Sequence, residues 1–343
     1  MREPVSVVVP AHNAEATITP CLAALRIAMQ TNDELILFDD GSTDATCQAA
    51  EHAGARILTN SSTPKGPAHG RNRGAELATR RYVLFVDADV IIHRDAIDHL
   101  VKELVRTGAA AAFGSYDDHP HSSRLPAIYA NLRHHFVHQN GSVEASTFWS
   151  GIGIVDRETF RLSGGFNDVL FPFPSIEDVE LGIRLVKSGH KIRLVPEAQG
   201  THWKDWTLWR VWHTDVFRRA LPWSRLIAEG QLAQADLNLA GKERLLALLA
   251  MLVLSTAAIG IVFQPVWLVS LAALALYLLG IHPFLAVVGR RTDALQLVGI
   301  ACLHFCYHLY ASATYASVML TRRVTGLFRL VSPGRRRLTR SME

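Results

Sequence analysis

The sequence contains few cysteines, and they do not form a recognisable group. None of the four (Cys21, Cys47, Cys302 and Cys306) belongs to a Cys-x-x-Cys pair. This pattern excludes a disulfide framework and a cysteine-based zinc site, and it is typical of a protein in a reducing compartment. Residues 1–5 lack the apolar core of a signal peptide, so we expect the first half of the chain to lie in the cytoplasm.

Long runs of basic residues are also missing from the first half. The formal net charge is only +4, so we predict no nucleic-acid partner. The composition changes near residue 240, because charges are mixed before that point and apolar stretches dominate after it. With 343 residues, the chain is long enough for more than one domain.

The most informative stretch is the apolar run Tyr82–Val86, which leads directly into Asp87-Ala88-Asp89. A short continuous apolar run indicates a strand that is buried on both faces. Carboxylates cannot stay uncompensated in an apolar core, so we expect them at the carboxyl end of the strand, where open α/β sheets bind ligands. Two carboxylates at this edge suit a divalent cation that carries a diphosphate. Taken alone, the pair is equally consistent with an acidic turn.

The neighbouring sequence predicts an α/β fold with a mostly parallel sheet. Strands are predicted at residues 5–9, 35–38 and 56–58, and they alternate with helices. Ser42 or Thr43 is expected to cap the helix after the second strand. Proline and glycine predict a loop over residues 60–70, followed by a helix at residues 71–79.

Five motifs occur in an order and spacing that resembles family 2 glycosyltransferases, over roughly residues 5–205. They are Val7–Asn13, Asp39–Asp44, Gly70–Gly74, Asp87–Asp89 and the pair Glu177-Asp178. The resemblance implies a GT-A fold, which is a Rossmann-like, mostly parallel α/β sheet. It also implies a nucleoside-diphosphate-sugar donor, a divalent cation (Mg²⁺ or Mn²⁺) and inversion at the anomeric carbon.

Donor binding is expected from the first four motifs. The strand that ends in Pro10, Ala11 and Asn13 exposes polar groups on which a nucleobase can dock. The resemblance assigns the nucleoside to Asp39 and Asp40, although a turn with a helix cap explains that pair too. Arg71 can direct charge-assisted hydrogen bonds at phosphates or base, the alternative being a surface arginine. The remaining predicted donor contacts are Asp87, on the sugar or ribose side, and Ala88.

Metal binding and proton transfer are expected from a second group of residues. Asp89 is the predicted metal ligand, and His202 stands about where many relatives carry a histidine near the metal; the alternative is that His202 packs against a tryptophan. The resemblance makes Asp178 the base that deprotonates the acceptor, with Glu177 supporting it. Acidic residues at a helix start can also simply complement the helix dipole.

Two sequence motifs are absent, and their absence limits the reactions that the protein is expected to catalyse. No Gln-x-x-Arg-Trp motif follows the predicted base, so the transfer of one sugar is favoured over a polysaccharide synthase-like polymerisation. A pyrophosphorylase would carry a glycine-rich phosphate loop after the first strand, and none is present. A non-catalytic membrane scaffold stays as an alternative, although it would not need every acid in place.

The second half predicts a membrane protein. Five of the seven tryptophans lie between Trp203 and Trp223, and the first four recur every third residue. This spacing suggests an amphipathic helix at the bilayer headgroups. The alternative is a stripe of tryptophans that packs on the catalytic domain. Residues 245–263 and 265–288 are predicted spans, and 295–320 is a third candidate. Flanking basic residues place the cytoplasmic ends of the first two spans according to the positive-inside rule. A third crossing would put the basic cluster that follows residue 320 outside the cytoplasm. The segment 295–320 is therefore re-entrant or interfacial, unless the positive-inside rule fails here.

These expectations give a domain plan and a location. The plan is a catalytic domain at residues 1–200, an interfacial region at 201–243, two or three transmembrane helices at 244–321 and a basic tail at 322–343. The predicted protein is a multi-pass inner-membrane enzyme with a cytoplasmic catalytic domain. Its expected acceptor is a lipid or a lipid-linked saccharide.

Overall fold

The structure of the protein is a computed structural model that describes residues 2–60, 63–230 and 241–331, with side chains described as far as residue 323. Part of the predicted interfacial region (231–240) and the basic residues Arg335–Arg337 of the predicted tail lie outside the described residues.

The first four strands form the parallel half of the sheet. Each is joined to the next by a helix, as the alternation of apolar runs and amphipathic segments predicts. In chain order the elements are β1 (Val5–Ala11), α1 (Glu15–Ala28), β2 (Glu34–Asp39), α2 (Thr46–His52), β3 (Arg56–Thr59), α3 (Pro67–Leu77) and β4 (Tyr82–Val86). All five residues of β4 are buried, which confirms the strand predicted before the two aspartates.

The remaining strands extend this half into one mixed sheet of nine strands. The elements that follow are β5 (Val90–Ile92), α4 (Ala96–Thr107), β6 (Ala111–Tyr116), α5 (Leu125–Gln139), β7 (Glu144–Ala145), β8 (Ile152–Asp156), α6 (Arg157–Leu162), α7 (Glu177–Lys187) and β9 (Ile192–His202). The order is β3-β2-β1-β4-β8-β6-β9-β5, with β7 beside β9. Strand β8 runs antiparallel to both β4 and β6. The predicted α/β fold class is confirmed.

Two apolar layers sandwich the sheet. On one face α1 and α4 bury their leucine and isoleucine stripes, and on the other face α3 and α7 pack with Phe85, Phe148 and Phe166. Gly182 permits the close approach of α7, because a Cβ at this position would lie 2.2 Å from the backbone nitrogen of Phe148. The contact fixes the position of the helix that begins with Glu177 and Asp178.

Two local predictions in this domain are wrong. Neither Ser42 nor Thr43 caps α2, which begins at Thr46; Asp44 accepts the hydrogen bond from the Thr46 amide, while Ser42 Oγ accepts one from the Asn13 amide. Helix α3 begins at Pro67 rather than at residue 71, because proline suits the first turn of a helix, where its missing N–H costs nothing. Arg71 therefore lies in the second turn of α3.

The tryptophan-rich segment is helical only in part. Trp203 and Trp206 lie in a connection without regular secondary structure, and the first helix of the segment is α8 (Leu208–His213), so the single helix expected from Trp203 onwards is wrong. Helix α8 is followed directly by a π-helical segment (Thr214–Ala220) and by α9 (Leu221–Ala228). The π-helix turns Asp215 inward, where the side chain is 1% exposed.

Three long apolar helices follow: α10 (Gly241–Gly260), α11 (Trp267–Val288) and α12 (Ala294–Val331). All three are long and apolar enough to cross a membrane. Helix α12 is one continuous helix of 38 residues, so the re-entrant alternative for the third segment is wrong. It packs beside α5, the π-helical segment and α9 as well as beside α10.

Candidate functional site

A large cavity opens at the carboxyl ends of β1, β2 and β4. Its volume is about 1720 Å³, more than a single ligand of ordinary size requires. Most of the predicted site residues line it, and at its far end it is lined by residues of α10 and α12. The predicted residues on its wall are Pro10, Ala11, Asn13, Asp40, Arg71, Asp87, Ala88, Asp89, Glu177, Asp178 and His202.

Arg71 joins the two acidic motifs. Its guanidinium donates to Asp87 Oδ1 at 2.6 Å and to Glu177 Oε1 at 2.8 Å, and the arginine is only 4% exposed. Burial alone would lower the pKa of Arg71, but the carboxylates of Asp87, Glu177 and Asp178 raise it above its ordinary value, so the group stays charged. The surface-arginine alternative is therefore wrong.

The short strand β5 brings His202 beside Asp89. This strand pairs antiparallel with the end of β9, in a register that sets Val90 opposite His202. His202 Nε2 lies 3.6 Å from Asp89 Oδ2, and Lys204 Nζ lies 3.3 Å from the same oxygen. Burial alone would raise the pKa of Asp89, but Lys204 and His202 hold it below its ordinary value. Asp89 is therefore an anion at neutral pH.

These residues fit a divalent cation. Asp89 and His202 offer one carboxylate oxygen and one imidazole nitrogen, which suit Mn²⁺, and carboxylate with phosphate oxygens suits Mg²⁺. Among the described residues they do not join a third histidine, cysteine or acid as a compact ligand group. The remaining coordination positions would fall to a diphosphate and water, as is usual where the ligand brings its own phosphates. The ring of His202 also stacks on Tyr116, with centroids 4.3 Å apart, and its centroid lies 6.5 Å from that of Trp206. The expected packing against a tryptophan therefore occurs together with the position beside Asp89.

Asp178 lies in the first turn of α7, next to Glu177. Its Oδ2 accepts from the amide of Ser150 at 3.1 Å and from Ser150 Oγ at 3.2 Å, and its Oδ1 accepts from the Val179 amide at 2.8 Å. Burial, followed by the neighbouring Glu177 carboxylate, raises the pKa of Asp178 to about 6 against the opposing effect of Arg71. A carboxylate with a pKa near neutrality is suited to proton transfer.

Asp39, Asp40 and Asn13 hold the local backbone at the ends of β1 and β2. Asp40 accepts hydrogen bonds from the amides of Lys65 and Gly66 and from Asn60, so it organises the turn before α3. Asp39 is 1% exposed and accepts from the Ser42 amide. Asn13 has a left-handed backbone (φ 48°), and its Oδ1 accepts from the Thr43 amide, which joins the end of β1 to the turn after β2.

Sequence reasoning missed several residues of the cavity wall. Tyr116, His134 and Trp149 form an aromatic group, with His134 centred 4.3 Å from Tyr116 and 4.5 Å from Trp149. Nδ1 of His134 is buried and has no hydrogen-bond partner among the described residues. Burial, with His138 and Arg219 nearby, lowers the pKa of His134 well below its ordinary value, so the ring is neutral. These residues belong to separate elements, and no short motif marks them.

Part of the chain matches a known protein family. Residues 6–157, a little less than half of the chain, match the family described as Glycosyl transferase family 2. This region resembles a family 2 glycosyltransferase domain. All but one of the five motifs lie inside the matched region; Glu177-Asp178 follows it.

The chain covers a small part of one relative and most of another. Glycosyltransferase GlyA of Streptococcus pneumoniae is 33% identical over 115 residues, which are 33% of this chain but only 16% of GlyA. The Escherichia coli UDP-Glc:alpha-D-GlcNAc-diphosphoundecaprenol beta-1,3-glucosyltransferase WfgD is 25% identical over 190 residues, 54% of this chain and 71% of WfgD. The chain therefore spans well under two thirds of the first relative and slightly more than two thirds of the second.

A solved structure matches almost the whole chain in fold. The mannosyltransferase PcManGT from Pyrobaculum calidifontis, determined with GDP-Man and Mn²⁺, covers 92% of this chain and 88% of its own, with a TM-score of 0.54 and 17% identity. The likeness includes the helical part that follows the family 2 domain. It confirms the predicted GT-A architecture.

We expect Arg71→Met to destabilise the protein by about 3–5 kcal/mol, because it leaves the Asp87 and Glu177 carboxylates without their buried partner. The matched control is Arg73→Met on the same helix, where the arginine side chain is 45% exposed and pairs with Glu76. That change should alter stability by no more than about 0.5 kcal/mol. Thermal unfolding of the purified proteins in detergent measures both, and equal effects would contradict the role of Arg71.

Proposed function

We propose that this protein is a cation-dependent, inverting glycosyltransferase that moves one sugar from a nucleoside-diphosphate sugar to a hydroxyl of a membrane-bound acceptor. The observation that carries the proposal is the single cavity that joins the acids of the sheet edge to the membrane helices. A donor that is soluble in water can enter at one end, and an amphiphilic acceptor at the other.

The donor end contains the residues that the family resemblance assigns to the nucleotide. Pro10, Ala11 and Asn13 would line the base, Asp40 would hold the nucleoside, and Arg71, Asp87 and Ala88 would lie on the phosphate and sugar side. The resemblance assigns the nucleoside to Asp39 as well, but this side chain is 1% exposed and does not line the cavity, so it would support the site through its bond to the Ser42 amide. Asp89 and His202 would hold Mg²⁺ or Mn²⁺. When bound, that cation would neutralise the charge that develops on the departing nucleoside diphosphate. Lys204, beside Asp89, supplies a further positive charge at the same point.

Asp178 is suited to act as the base. Inversion requires one displacement, in which the acceptor oxygen bonds to the anomeric carbon as the bond to the diphosphate breaks and the acceptor proton passes to a base. Ser150 and the Val179 amide hold the Asp178 carboxylate in place, and Glu177 raises its pKa. Glu177 forms hydrogen bonds with Arg71 and with the Ser175 amide, so it acts on Asp178 through its charge.

The acceptor end combines cations with an apolar wall. Arg218 and Arg219, from the π-helical segment, line the cavity together with Arg244 at the start of α10, and these groups suit the phosphates of a lipid-linked saccharide. Beyond them the wall consists of Leu248 and Met251 from α10, with small residues and Tyr315 from α12. WfgD, whose name specifies a diphosphoundecaprenol acceptor, supports the same class of acceptor.

The contacts of α12 support a membrane arrangement with two crossings. We assign the crossings to α10 and α11, whose connection at residues 261–266 would lie on the far side. The early part of α12 binds catalytic-side elements instead, through His304 with Tyr129 and through Tyr310 with Asp215. An interfacial α12 keeps Arg322 and Arg323 in the cytoplasm, as the positive-inside tendency requires. Residues 1–200 then form a cytoplasmic catalytic domain, and 201–243 the interfacial region.

We expect Asp178→Asn to abolish sugar transfer while the donor still binds, because the amide keeps the shape of the side chain but cannot accept the proton. Thermal shifts with UDP, GDP, dTDP and CDP in Mn²⁺ or Mg²⁺ identify the nucleotide first, since ligand binding to the folded state raises apparent stability. The variant should show the same shift as the wild type. Asp95→Asn, at an exposed aspartate before α4, is the control. Transfer at the wild-type rate by Asp178→Asn would exclude this base.

The rate of transfer should depend on pH through Asp178. A base works when it is deprotonated, so kcat should fall as the pH drops below about 6. Glu177→Gln removes a negative charge and should lower the pKa of Asp178, which moves this acid limb to lower pH. The readout is the kcat–pH profile of the two proteins; an unmoved limb would show that Glu177 does not tune the base.

The C-terminus should lie in the cytoplasm. Green fluorescent protein fused after Glu343 should fluoresce in whole cells, and alkaline phosphatase at the same place should be inactive, because that enzyme folds only outside the cytoplasm. The opposite pair of results would show that α12 crosses the membrane a third time.

A further inference from the structure

A second cluster of ligand-type side chains lies where the long helices meet the catalytic domain. Glu243 comes from the first turn of α10, and His304 and His308 lie one turn apart on α12. One ligand atom from each of the three lies within 4.8 Å of the others. The histidines are buried, with exposed fractions of 6% and 2%. None of the three has a place in the proposed transfer reaction.

We propose that Glu243, His304 and His308 bind one transition-metal ion, most suitably Zn²⁺. Two imidazoles and one carboxylate are a ligand set that zinc accepts with a fourth position open. Glu243 and His308 also line the catalytic cavity, so the open position can take a water or an anionic oxygen from that side. The ion would clamp α10 to α12 at the acceptor end of the cavity.

The neighbouring tyrosines support metal ligation. Tyr277 Oη lies 3.0 Å from Nδ1 of His308, and Tyr129 Oη lies 3.2 Å from Nδ1 of His304. Histidines that bind metals usually engage their second nitrogen in this way, which fixes the ring and its tautomer. Nε2 is then the nitrogen that each ring can offer to the metal, and in His308 it already lies 3.2 Å from Glu243 Oε2.

A hydrogen-bonded glutamate–histidine pair is the competing explanation. Such a pair needs only Glu243 and His308, and it gives no role to His304, whose ring centroid lies 4.7 Å from that of His308. A cavity of about 20 Å³ beside Glu243 and His304 has room for one water-sized group. The positively charged residues Arg133 and Lys242 also line this cavity. The charge of Arg133 is already compensated, because Asp215 binds it through two hydrogen bonds, at 2.9 and 2.6 Å.

The test is the metal content of the whole protein, purified in detergent without a histidine tag. After chelation, reloading with ZnCl₂ and desalting in the absence of nucleotide, mass spectrometry should find about one zinc per chain. Glu243→Gln and His308→Gln should each lose the zinc and the rise in unfolding temperature that it produces. His282→Gln, which changes an exposed histidine of α11 outside the cluster, should keep both.

Two outcomes overturn the proposal: a wild-type protein that holds no zinc, or zinc that all the cluster variants retain. The Asp89→Asn variant should retain one zinc per chain. This result would separate the site at Glu243, His304 and His308 from the proposed catalytic cation site. Where a variant fails to fold, X-ray absorption of the zinc-loaded wild type still decides. Two imidazoles with oxygen ligands support the cluster, whereas sulfur or a single imidazole contradicts it.

Discussion

The site depends on one buried interaction, the pairing of the Arg71 guanidinium with Asp87 and Glu177. A buried cation requires compensation, and here two carboxylates from distant parts of the chain provide it. The end of β4 and the start of α7 are thereby held around the same helix. The pKa of Asp178 is nevertheless raised, because burial and then the Glu177 carboxylate outweigh the opposing charge of Arg71.

The sheet separates the two chemical tasks of the site. Parallel strands β1, β2 and β4 bring Asp39, Asp40 and Asp87 to one edge. The antiparallel pairing of β5 with β9 then adds His202 and Lys204 beside Asp89. Positive charge holds Asp89 ionised, whereas burial and Glu177 make Asp178 more basic. Two aspartates in one cavity are thus suited to opposite roles, one as a permanent anion and one as a proton acceptor.

The sequence was sufficient for features that rest on local pattern. Apolar runs located β1 to β4. The local pattern was not sufficient where tertiary contacts decide. Strand β5 has three residues and is paired with β9, and no apolar run predicted it, so His202 was found through the family resemblance rather than through the local pattern. The regular spacing of tryptophans suggested a helix from Trp203, but the Trp203 amide bonds to the Asp89 carbonyl and the helix begins only at Leu208.

The link between the sheet domain and the long helices combines an apolar cluster around Leu132, Phe284 and Ile300 with a buried polar network, and the network has a mechanical consequence. Asp215 binds Arg133 through both carboxylate oxygens and accepts a third bond from Tyr310, while Arg133 also lies over the ring of Tyr307. Buried polar groups that are fully paired lose much free energy when they separate, so they fix one relative position of the parts they join. The network therefore holds the end of the cavity lined by α10 and α12 at a constant distance from Asp178, and the proposed transfer to a membrane-bound hydroxyl would require this.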